Sequence, residues 1–463
     1  MLEGLEISEI TLSEALENNE VFRFDAEYFG KEALAVLARL QRHGSNTLLS
    51  IATITDGIHT SLPFVDDGDV KVLSAKHPKE NFIDRSLFET ISAAFHAKNP
   101  RTALREDDVL ISTVGTIGNS AVVTSDLLPA NSDRHIGIVR LHKGTVSPYF
   151  LSTFLLGRYG RVQTWRETTG NVQPNLFISK IGKLLLPRFS GNLEKAVTQC
   201  VGWAYQLRSQ SGQNLDMAED TLLRSLGLEN WQAPEPLSYI RNSRDAFAAG
   251  RLDAQYFTPR VRALLDLLGQ DGLTISDVAP PRHEKFESGK AGKSFNYIEI
   301  GDVRNDGSVE STELATTDAP SRATQYVRGG DVLTSTVRPI RRLSAFVNVL
   351  QDGAVCSSGF VVLAPNDLSA STLLTYLRLP LVCELMDLHT SASLYPAISE
   401  QDLLALPIPR ISEKVQQRVD ASVGAAHQAK QRSTYLLNAA KRAVEIAIEQ
   451  DEKAAMAYLE ANS

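Results

Sequence analysis

Three arginines within five residues are the strongest local signal for chemistry in this chain of 463 residues. Arg338, Arg341 and Arg342 occupy the segment 338–342, directly after a run rich in β-branched residues. A guanidinium group can donate two parallel hydrogen bonds to O6 and N7 of guanine, or it can contact a phosphate. The segment is therefore predicted to contact a base or a phosphate, and a solvated surface turn is the alternative.

A second basic segment surrounds the glycine-rich turn 288–294. The turn imitates a nucleotide-binding P-loop, but Glu287 occupies the position of the required first glycine, so nucleotide binding is not expected. A basic loop near phosphates and an ordinary surface loop are both compatible with this pattern. The candidate residues here are His283, Lys285, Lys290 and Lys293.

The first half of the chain carries polar candidates beside its predicted strands. Asn and Gln can pair with N6 and N7 of adenine, although in loops they commonly cap turns. The basic pairs flank strands, and the amides lie in the loop that precedes Pro187. These candidates are Lys76, His77, Arg134, His135, Asn171, Gln173 and Asn175, and Tyr395 occupies the equivalent loop of the second half, where it could equally belong to a core.

These segments must be positioned by a structure that occurs twice. Residues 23–29 (Arg-Phe-Asp-Ala-Glu-Tyr-Phe) return as 251–257 (Arg-Leu-Asp-Ala-Gln-Tyr-Phe), an offset of 251 − 23 = 228 residues. Further matches keep almost the same offset: 108–114 with 331–337, 137–139 with 359–361, 174–188 with 396–410, and 194–195 with 413–414. Collinear matches of this length predict a tandem duplication of a whole domain.

Each copy has an α/β pattern followed by a long helix. In the first copy we predict helices at 31–43 and 148–159, and strands at 70–74, 109–114, 121–123 and 136–141. Amphipathic helices are predicted over 194–226 and 412–460, and the apolar seams of these two helices are natural partners for each other. A helix over 194–226 would be roughly 50 Å long.

Charge is distributed unevenly along the chain. The net charge is −8, but residues 1–20 contain six Glu and no Lys or Arg, whereas 322–342 contains five Arg and a single acidic residue, Asp331. We interpret 1–22 as an acidic lead-in. A nearly neutral body with basic patches can still bind a polyanion on one face.

Several classes of protein are not expected. No apolar run approaches the roughly 20 residues of a membrane helix, the beginning of the chain does not resemble a signal segment, and the three cysteines are scattered, so a cytoplasmic chain without disulfides is predicted. The sequence lacks the Asp/Asn-Pro-Pro-Tyr/Phe tetrapeptide of adenine methyltransferases, a complete Walker A motif and His-Glu-x-x-His. We predict no catalytic or metal site, and we interpret Asp25 and Asp253 as structural groups.

Because these motifs occur twice in the same order, the chain resembles a specificity (S) subunit of a type I restriction-modification system. The resemblance rests on the paired heptapeptides, the Asp-Val-Leu-x-Ser-Thr-Val strands and the closing segments 170–187 and 394–409. It implies two globular α/β (α+β) target-recognition domains separated by two long helices in an antiparallel coiled coil, each domain reading half of a bipartite, asymmetric DNA target. The second copy departs from the Gly-x-x-Gln-Pro-Asn form of the first.

The resemblance also implies boundaries and partners. The domains would be a lead-in (1–22), target-recognition domain 1 (23–190), a central conserved helical region with linker (191–245), target-recognition domain 2 (246–411) and a C-terminal conserved helix (412–463). Partners would be double-stranded DNA and two methyltransferase (M) subunits, and a restriction/translocase (R) subunit is left open. S-adenosylmethionine, ATP and Mg would belong to the partners, with no cofactor in this chain. A coiled-coil protein scaffold and a nuclease with an unrecognised site are the alternatives.

Overall fold

The computed structural model describes residues 8–16, 23–85, 88–170, 172–233, 235–290, 292–390 and 396–463, apart from the side chains of Glu14 and Lys290. The chain divides into two compact units. Unit 1 consists of residues 1–208 and 430–463, and unit 2 consists of residues 209–429. Each unit combines helices with small sheets, as the sequence predicted. None of the described helices is long and apolar enough to cross a membrane.

The first part of the chain forms short helices and short strands that end in one long helix. The helices are α1 (Leu12–Leu16), α2 (Lys31–Arg42), α3 (Leu48–Ile51), α4 (Ala93–Ala97), α5 (Pro148–Leu156), α6 (Arg158–Glu167), α7 (Ile178–Ile181) and α8 (Gly191–Ser225). The strands are β1 (Ser45–Thr47), β2 (Ala52–Asp56), β3 (Val70–Leu73), β4 (Glu89–Ile91), β5 (Val109–Ser112), β6 (Ser120–Val122), β7 (Ala130–Ser132), β8 (Ile136–Leu141) and β9 (Leu185–Pro187).

The second part repeats this pattern. Its helices are α9 (Ser243–Ala249), α10 (Pro259–Leu268), α11 (Ile275–Val278), α12 (Ala370–Leu377), α13 (Pro380–Leu388), α14 (Glu400–Leu404), α15 (Glu413–Glu449) and α16 (Glu452–Asn462). Its strands are β10 (Ser294–Ile298), β11 (Thr312–Ala315), β12 (Ala323–Tyr326), β13 (Val332–Ser335), β14 (Ser344–Phe346), β15 (Val355–Ser357) and β16 (Phe360–Leu363).

The two units share one strand order. In unit 1, β3 lies between antiparallel β4 and parallel β7, and in unit 2, β10 lies between antiparallel β11 and parallel β15. Likewise β5 lies between antiparallel β6 and β8, as β13 lies between antiparallel β14 and β16. Unit 1 adds β2 to the edge of β8, and unit 2 adds β12 to the edge of β15. The duplication that the sequence predicted is therefore visible in the topology.

The central strand of each unit is buried on both faces, which explains its continuous run of apolar residues. In unit 1, Val109 and Ile111 belong to the main core, while Leu110 belongs to a second core on the opposite face. In unit 2, Val332 and Leu333 point into two separate cores in the same way. Because both of its faces are packed, each central strand is held in place in its unit. The loops that follow the strand therefore begin from a fixed position.

The repeated heptapeptide folds in the same way in both units. Arg23 forms an ion pair with Asp25 at 2.7 Å, and the Asp25 carboxylate accepts the Tyr28 backbone N–H at 3.0 Å. The Arg23 guanidinium also lies 4.7 Å from the centroid of the Tyr28 ring. In the segment 251–256 the same three contacts measure 2.7, 3.1 and 4.5 Å. The prediction that these aspartates are structural groups is confirmed.

The two long helices pair in antiparallel fashion within unit 1, as predicted. The Cys200 thiol donates to the Leu436 carbonyl at 3.4 Å, and the Ser433 hydroxyl donates to the Ala204 carbonyl at 2.7 Å. Because the later residue of α8 pairs with the earlier residue of α15, the two helices run in opposite directions. In unit 2 the same helices contribute to one core through Ala218, Leu222, Val419 and Val423.

Two predicted helices are divided in the structure. The predicted helix 148–159 breaks at Gly157, whose extended backbone separates α5 from α6. The predicted tail helix 412–460 ends at Glu449, and Asp451 caps a new helix by accepting the Ala454 N–H at 2.8 Å. A short Asp side chain favours this cap over a helix interior, and apolar periodicity alone did not reveal either break.

The acidic lead-in, which the sequence separated from the repeat, has a counterpart before the second heptapeptide. Ser8-x-Ile10-x-x-Ser13 matches Ser238-x-Ile240-x-x-Ser243, and a short helix includes the last serine in each case, α1 from Leu12 and α9 from Ser243. The Ser8 hydroxyl donates to the carbonyl of Phe29, and the Arg241 guanidinium donates to the carbonyl of the equivalent Phe257 at 3.0 Å. The described residues 8–16 therefore extend the repeat upstream.

Candidate nucleic-acid interface

In unit 1, two loops meet at the end of the central strand β5. The backbone N–H of Thr113 donates to the His135 carbonyl at 3.0 Å, and the Thr113 carbonyl accepts the Leu176 N–H, also at 3.0 Å. The turn between β7 and β8 and the loop before α7 are thereby fixed on either side of the strand. Arg134 and His135 belong to the first of these segments, and Gln173 and Asn175 belong to the second.

The segment after β3 joins the same end of the unit. The hydroxyls of Ser112 and Thr116 donate to the Ala75 carbonyl at 2.8 and 3.3 Å. Lys76, the next residue, is exposed. The structure therefore brings together Lys76, Arg134, His135, Gln173 and Asn175, which lie far apart in the sequence. Asn171 belongs to the same loop but lies outside the described residues.

The side chains of this group differ in how they are held. Arg134 is exposed, and its Nε donates to the Nε2 of His135 at 3.3 Å. The Nδ1 of His135 contacts the Asp133 carboxylate at 3.1 Å, so the ring is oriented by an acidic neighbour. Gln173 is exposed, while Asn175 is half-buried and its backbone pairs with Thr169. Lys76, Arg134 and Gln173 are thus the side chains best placed to meet a ligand.

His77 requires a correction, because the structure places it beneath this surface. Its side chain is 2% exposed, its Nδ1 accepts the Ser74 N–H at 2.8 Å, and its ring lies 5.0 Å from that of Phe88. Burial lowers the pKa of His77 to about 4, so its ring is neutral at physiological pH. A neutral, buried imidazole is a packing group here, and the sequence position beside Lys76 did not reveal its burial.

Unit 2 repeats the arrangement at the end of β13. The Thr336 N–H donates to the Gly359 carbonyl at 2.9 Å, and the Thr336 carbonyl accepts the Ile398 N–H at 3.0 Å. The Arg338 N–H donates to the Pro396 carbonyl at 2.9 Å. The turn before β16 and the loop before α14 therefore flank the strand as in unit 1. Tyr395 immediately precedes this contact but lies outside the described residues.

The arginine segment 338–342 forms one tight turn at this strand end. Arg338 and Arg342 have left-handed backbone conformations, with φ of 50° and 59°, and they enclose a single 3-10 turn. Arg341 is exposed and Arg338 is half-buried. The Arg342 guanidinium forms an ion pair with Glu219 of α8, so the structure assigns this predicted contact residue to an internal contact of unit 2 instead.

One arginine of this surface was missed as a site residue by sequence reasoning. The Ser358 N–H donates to the Arg322 carbonyl at 2.8 Å, which places exposed Arg322 beside the turn that precedes β16. In the sequence, Arg322 was marked only by its position in the basic stretch 322–342. Another arginine of that stretch, Arg328, forms an ion pair with Glu284 and contributes to the fold.

The basic residues around the glycine-rich turn divide between two locations. The Nε2 of His283 lies 3.3 Å from Glu400, the first residue of α14, and so approaches the loop beside β13. Lys293 precedes β10, and its carbonyl accepts the Thr316 N–H at 3.0 Å. Because β10 and β15 are parallel, the start of β10 and the end of β15 are at opposite ends of the sheet. Lys293 is therefore not brought to the arginine turn.

Two other candidates of this region take no part in the contacts given above for the end of β13. Lys285 is exposed, and its backbone pairs with Gln325 of β12. The side chain of Lys290 is outside the described part of the structure. The unit 2 surface therefore consists of Arg322, Arg338 and Arg341, with His283 at its edge, and it is more basic than its counterpart in unit 1.

No group of three His, Cys, Asp or Glu side chains suited to a metal ion occurs in the part of the chain that the structure describes. The three cysteines are buried and free. The chemistry available at both strand ends is hydrogen bonding and charge, supplied by Arg, Lys and Gln side chains and by backbone groups.

Comparison with known proteins gave structural neighbours only. No protein-family model and no curated protein sequence matches the chain. It is similar to the type I restriction-modification S subunit from M. genitalium, with 11% identity, 88% of this chain and 94% of that chain covered, and a TM-score of 0.38. It is also similar to the HsdS subunit from Thermoanaerobacter tengcongensis, with 16% identity, coverage of 90% and 95%, and a TM-score of 0.27.

A third neighbour is a chain of a structure titled as the structural basis of complex assembly and conformational transition of the type I R-M system. It shares 17% identity with this chain, over 90% of this chain and 96% of that one, with a TM-score of 0.28.

Proposed function

We propose that this chain is a non-catalytic DNA-recognition subunit of a type I restriction-modification complex, and that each unit reads one half of a bipartite, asymmetric target. The observation that carries the proposal is that the same strand-end arrangement occurs twice with different side chains at its surface. Unit 1 presents exposed Lys76, Arg134 and Gln173, whereas unit 2 presents exposed Arg322 and Arg341 and half-buried Arg338.

Two similar frameworks with diverged loops suit the reading of two different half-sites. Arg can distinguish guanine and Gln can distinguish adenine by paired hydrogen bonds in the major groove, while Lys contacts phosphates as a point charge. The arginines of unit 2 favour a guanine in its half-site. The residue types of unit 1 favour a half-site in which phosphate and adenine contacts matter more.

In this proposal the reaction belongs to partner subunits. Two methyltransferase subunits would supply S-adenosylmethionine and transfer the methyl group to an adenine, and the paired long helices would supply their docking surface. This chain's own residues would select the site and orient the complex on it. A restriction/translocase subunit would join only in a complex that also cleaves DNA.

The test is to co-express the chain with type I methyltransferase subunits and to map methylated adenines by long-read sequencing. We expect one bipartite motif with a fixed gap. Exchanging residues 250–410 for the corresponding domain of another such chain should change the second half of the motif and leave the first half unchanged.

A stable complex with no sequence-specific methylation, together with DNA binding that is absent at low salt, would contradict this function. That result would instead indicate a coiled-coil scaffold that holds proteins together. Metal-dependent cleavage of DNA by the isolated chain would contradict the assignment of a non-catalytic role.

A further inference from the structure

The arginine turn of unit 2 is held from behind by a residue with no place in the recognition surface itself. Arg378 follows α12, and its guanidinium donates to the carbonyls of Arg342 at 2.6 Å, Ser344 at 3.0 Å and Asn305. The first two bonds hold the end of the turn and the first residue of β14, and the third joins them to the segment of Asn305.

A charged side chain is an unusual choice for this structural position. Burial lowers the pKa of Arg378 to about 10, yet the group remains protonated at neutral pH. The planar guanidinium offers several N–H donors in a rigid fork, so one side chain can hold carbonyls from separate segments. An ammonium group is a compact point charge on a flexible stem and would not hold the three carbonyls in the same fixed geometry.

The turn is also restrained from a second side. Arg342, its last residue, forms an ion pair with Glu219 of α8. Both Arg338 and Arg342 adopt left-handed backbone conformations, which cost energy for residues other than glycine and persist only when the surroundings impose them. The contacts of Arg378 and Glu219 supply that restraint.

In unit 1, an arginine from a different helix holds the corresponding loop. The loop 115–119 follows β5 as the arginine turn follows β13. Arg161 of α6 donates to the Ile117 carbonyl at 3.1 Å and to the Asn119 side-chain oxygen at 2.8 Å. The loop lies close to α6, since a Cβ added at Gly118 would approach Thr164 to 2.9 Å.

The unit 1 anchor is likewise connected to a long helix. Arg161 lies 3.8 Å from Glu80, and Glu80 accepts Lys441 of α15 at 2.7 Å. In both units, therefore, an arginine from the helical layer holds the loop that follows the central strand, and an ion pair links that region to α8 or α15.

The two anchoring arginines are not equivalent in the repeat. With the offset of 222 residues that relates α5 to α12, Arg378 corresponds to Leu156, and Arg161 corresponds to Cys383. Inheritance from a common ancestor therefore does not explain why both units anchor this loop with arginine. A shared requirement for a rigid loop explains it.

We propose that Arg161 and Arg378 are positioning residues for DNA reading, each holding the loop of one unit in the geometry that matches one half-site. The inference rests on the function proposed above. Recognition by paired hydrogen bonds requires donors placed within about 0.5 Å, and a loop ordered before binding loses less entropy on binding.

The experiment uses the full complex with its methyltransferase and compares Arg378→Met, Arg161→Met and the wild type by methylome sequencing. We expect Arg378→Met to make the second half of the motif degenerate, with about a 5- to 150-fold loss of discrimination at an affected base pair. Arg161→Met should relax the first half only, because the Thr116 hydroxyl of the loop 115–119 donates to the Ala75 carbonyl, directly before Lys76. Arg262→Met, which alters an arginine on α10 of unit 2, is the matched control and should leave the motif unchanged.

A second measurement separates positioning from general stability. The melting temperature and the affinity for non-specific DNA are measured for each variant, and Arg378→Lys tests whether charge alone suffices. We expect Arg378→Lys to remain degenerate, and non-specific affinity to stay within about twofold because no phosphate-contacting side chain is removed.

The inference is overturned if a folded Arg378→Met complex keeps the wild-type motif, or if either variant relaxes both halves equally. A wild-type complex without sequence-specific methylation would instead refute the proposed function itself, so the two failures are distinguishable.

Discussion

The guanidinium of Arg140 donates two hydrogen bonds, of 2.8 and 2.7 Å, to the carboxylate of Asp108 at the start of the central strand of unit 1. Asp108 is buried and also accepts the Arg105 N–H at 2.8 Å. In unit 2, the matching Asp331 is held by Arg282 at 2.8 and 2.9 Å. The repeated aspartate is therefore a structural anchor whose partner comes from a different part of each unit.

We predict that Asp108→Asn destabilises unit 1 by at least about 2 kcal/mol, because the Arg140 charge loses its buried partner. Urea unfolding followed by circular dichroism measures the change. Asp107→Asn is the matched control, since that neighbouring carboxylate is exposed, and it should change stability by less than about 0.5 kcal/mol. Equal effects of the two substitutions would disprove the anchoring role.

The burial of His77 predicts a specific dependence of stability on pH. Burial, assisted by the Lys76 charge, lowers its pKa from 6.5 to about 4, while Asp84 and Asp133 act in the opposite direction. In the unfolded chain, the His77 imidazole is protonated below about pH 6.5, whereas in the folded unit it stays neutral until the pH approaches about 4. The contribution of neutral His77 to the free energy of unfolding is therefore fully present above pH 6.5 and is lost as the pH falls towards 4.

Replacing His77 should remove this part of the pH dependence. For His77→Gln, the stability of unit 1 should fall less between pH 7 and pH 4.5, by at most about 3 kcal/mol relative to the wild type. Unfolding curves at several pH values provide the measurement. A variant with the wild-type slope would show that other groups are responsible.

The loop before α7 in unit 1 depends on Gly170. Its φ is 104°, and a Cβ at this position would lie 2.7 Å from the Gln173 carbonyl oxygen. Gly170→Ala should therefore displace the loop at a cost of about 1 to 3 kcal/mol, and it should weaken methylation at sites defined by the first half of the motif. Gly30→Ala, directly before α2 and outside both long helices, places a Cβ at an ordinary contact distance of 3.5 Å from the Glu27 carbonyl oxygen and should leave methylation unchanged.

Two basic residues of unit 2 are predicted to differ in their effect on DNA binding. Arg341 is exposed at the strand end, whereas Lys293 lies at the opposite end of the sheet. Arg341→Gln should weaken specific binding by about 1 to 3 kcal/mol if it reads a base, or reduce the salt slope by about 1 if it contacts a phosphate. Lys293→Gln removes the same charge and should change neither quantity in fluorescence anisotropy titrations.

The free cysteines are predicted to be unreactive in the folded chain. Cys200, Cys356 and Cys383 are buried, and burial raises the pKa of Cys356 to about 12 and that of Cys383 to about 11. Because the thiolate is the reactive form, iodoacetamide at pH 8 should add no mass to the native protein and three adducts in urea. Modification of the native chain would indicate that a core opens.

Local patterns in the sequence were sufficient to predict the repeated architecture. The heptapeptides, the Asp-Val-Leu strands and the apolar seams of the long helices depend on short-range periodicity and on burial, which amino-acid order expresses directly. For that reason the duplication, the central strands and the pairing of α8 with α15 were predictable, whereas the antiparallel direction of that pair was implied only by the resemblance. The match of the lead-in to the segment before the second heptapeptide was not recognised in the sequence.

Which candidates share a surface was decided by the tertiary structure alone. Lys76, Arg134 and Gln173 are brought together by backbone hydrogen bonds between distant segments, and no spacing rule links them. In the turn after β3, Lys76 is exposed and the adjacent His77 is buried, while the ion pair with Glu219 commits the Arg342 side chain to an internal contact. Such outcomes depend on which side chains the packed neighbours cover, and long-range packing is not encoded in any local segment of the chain.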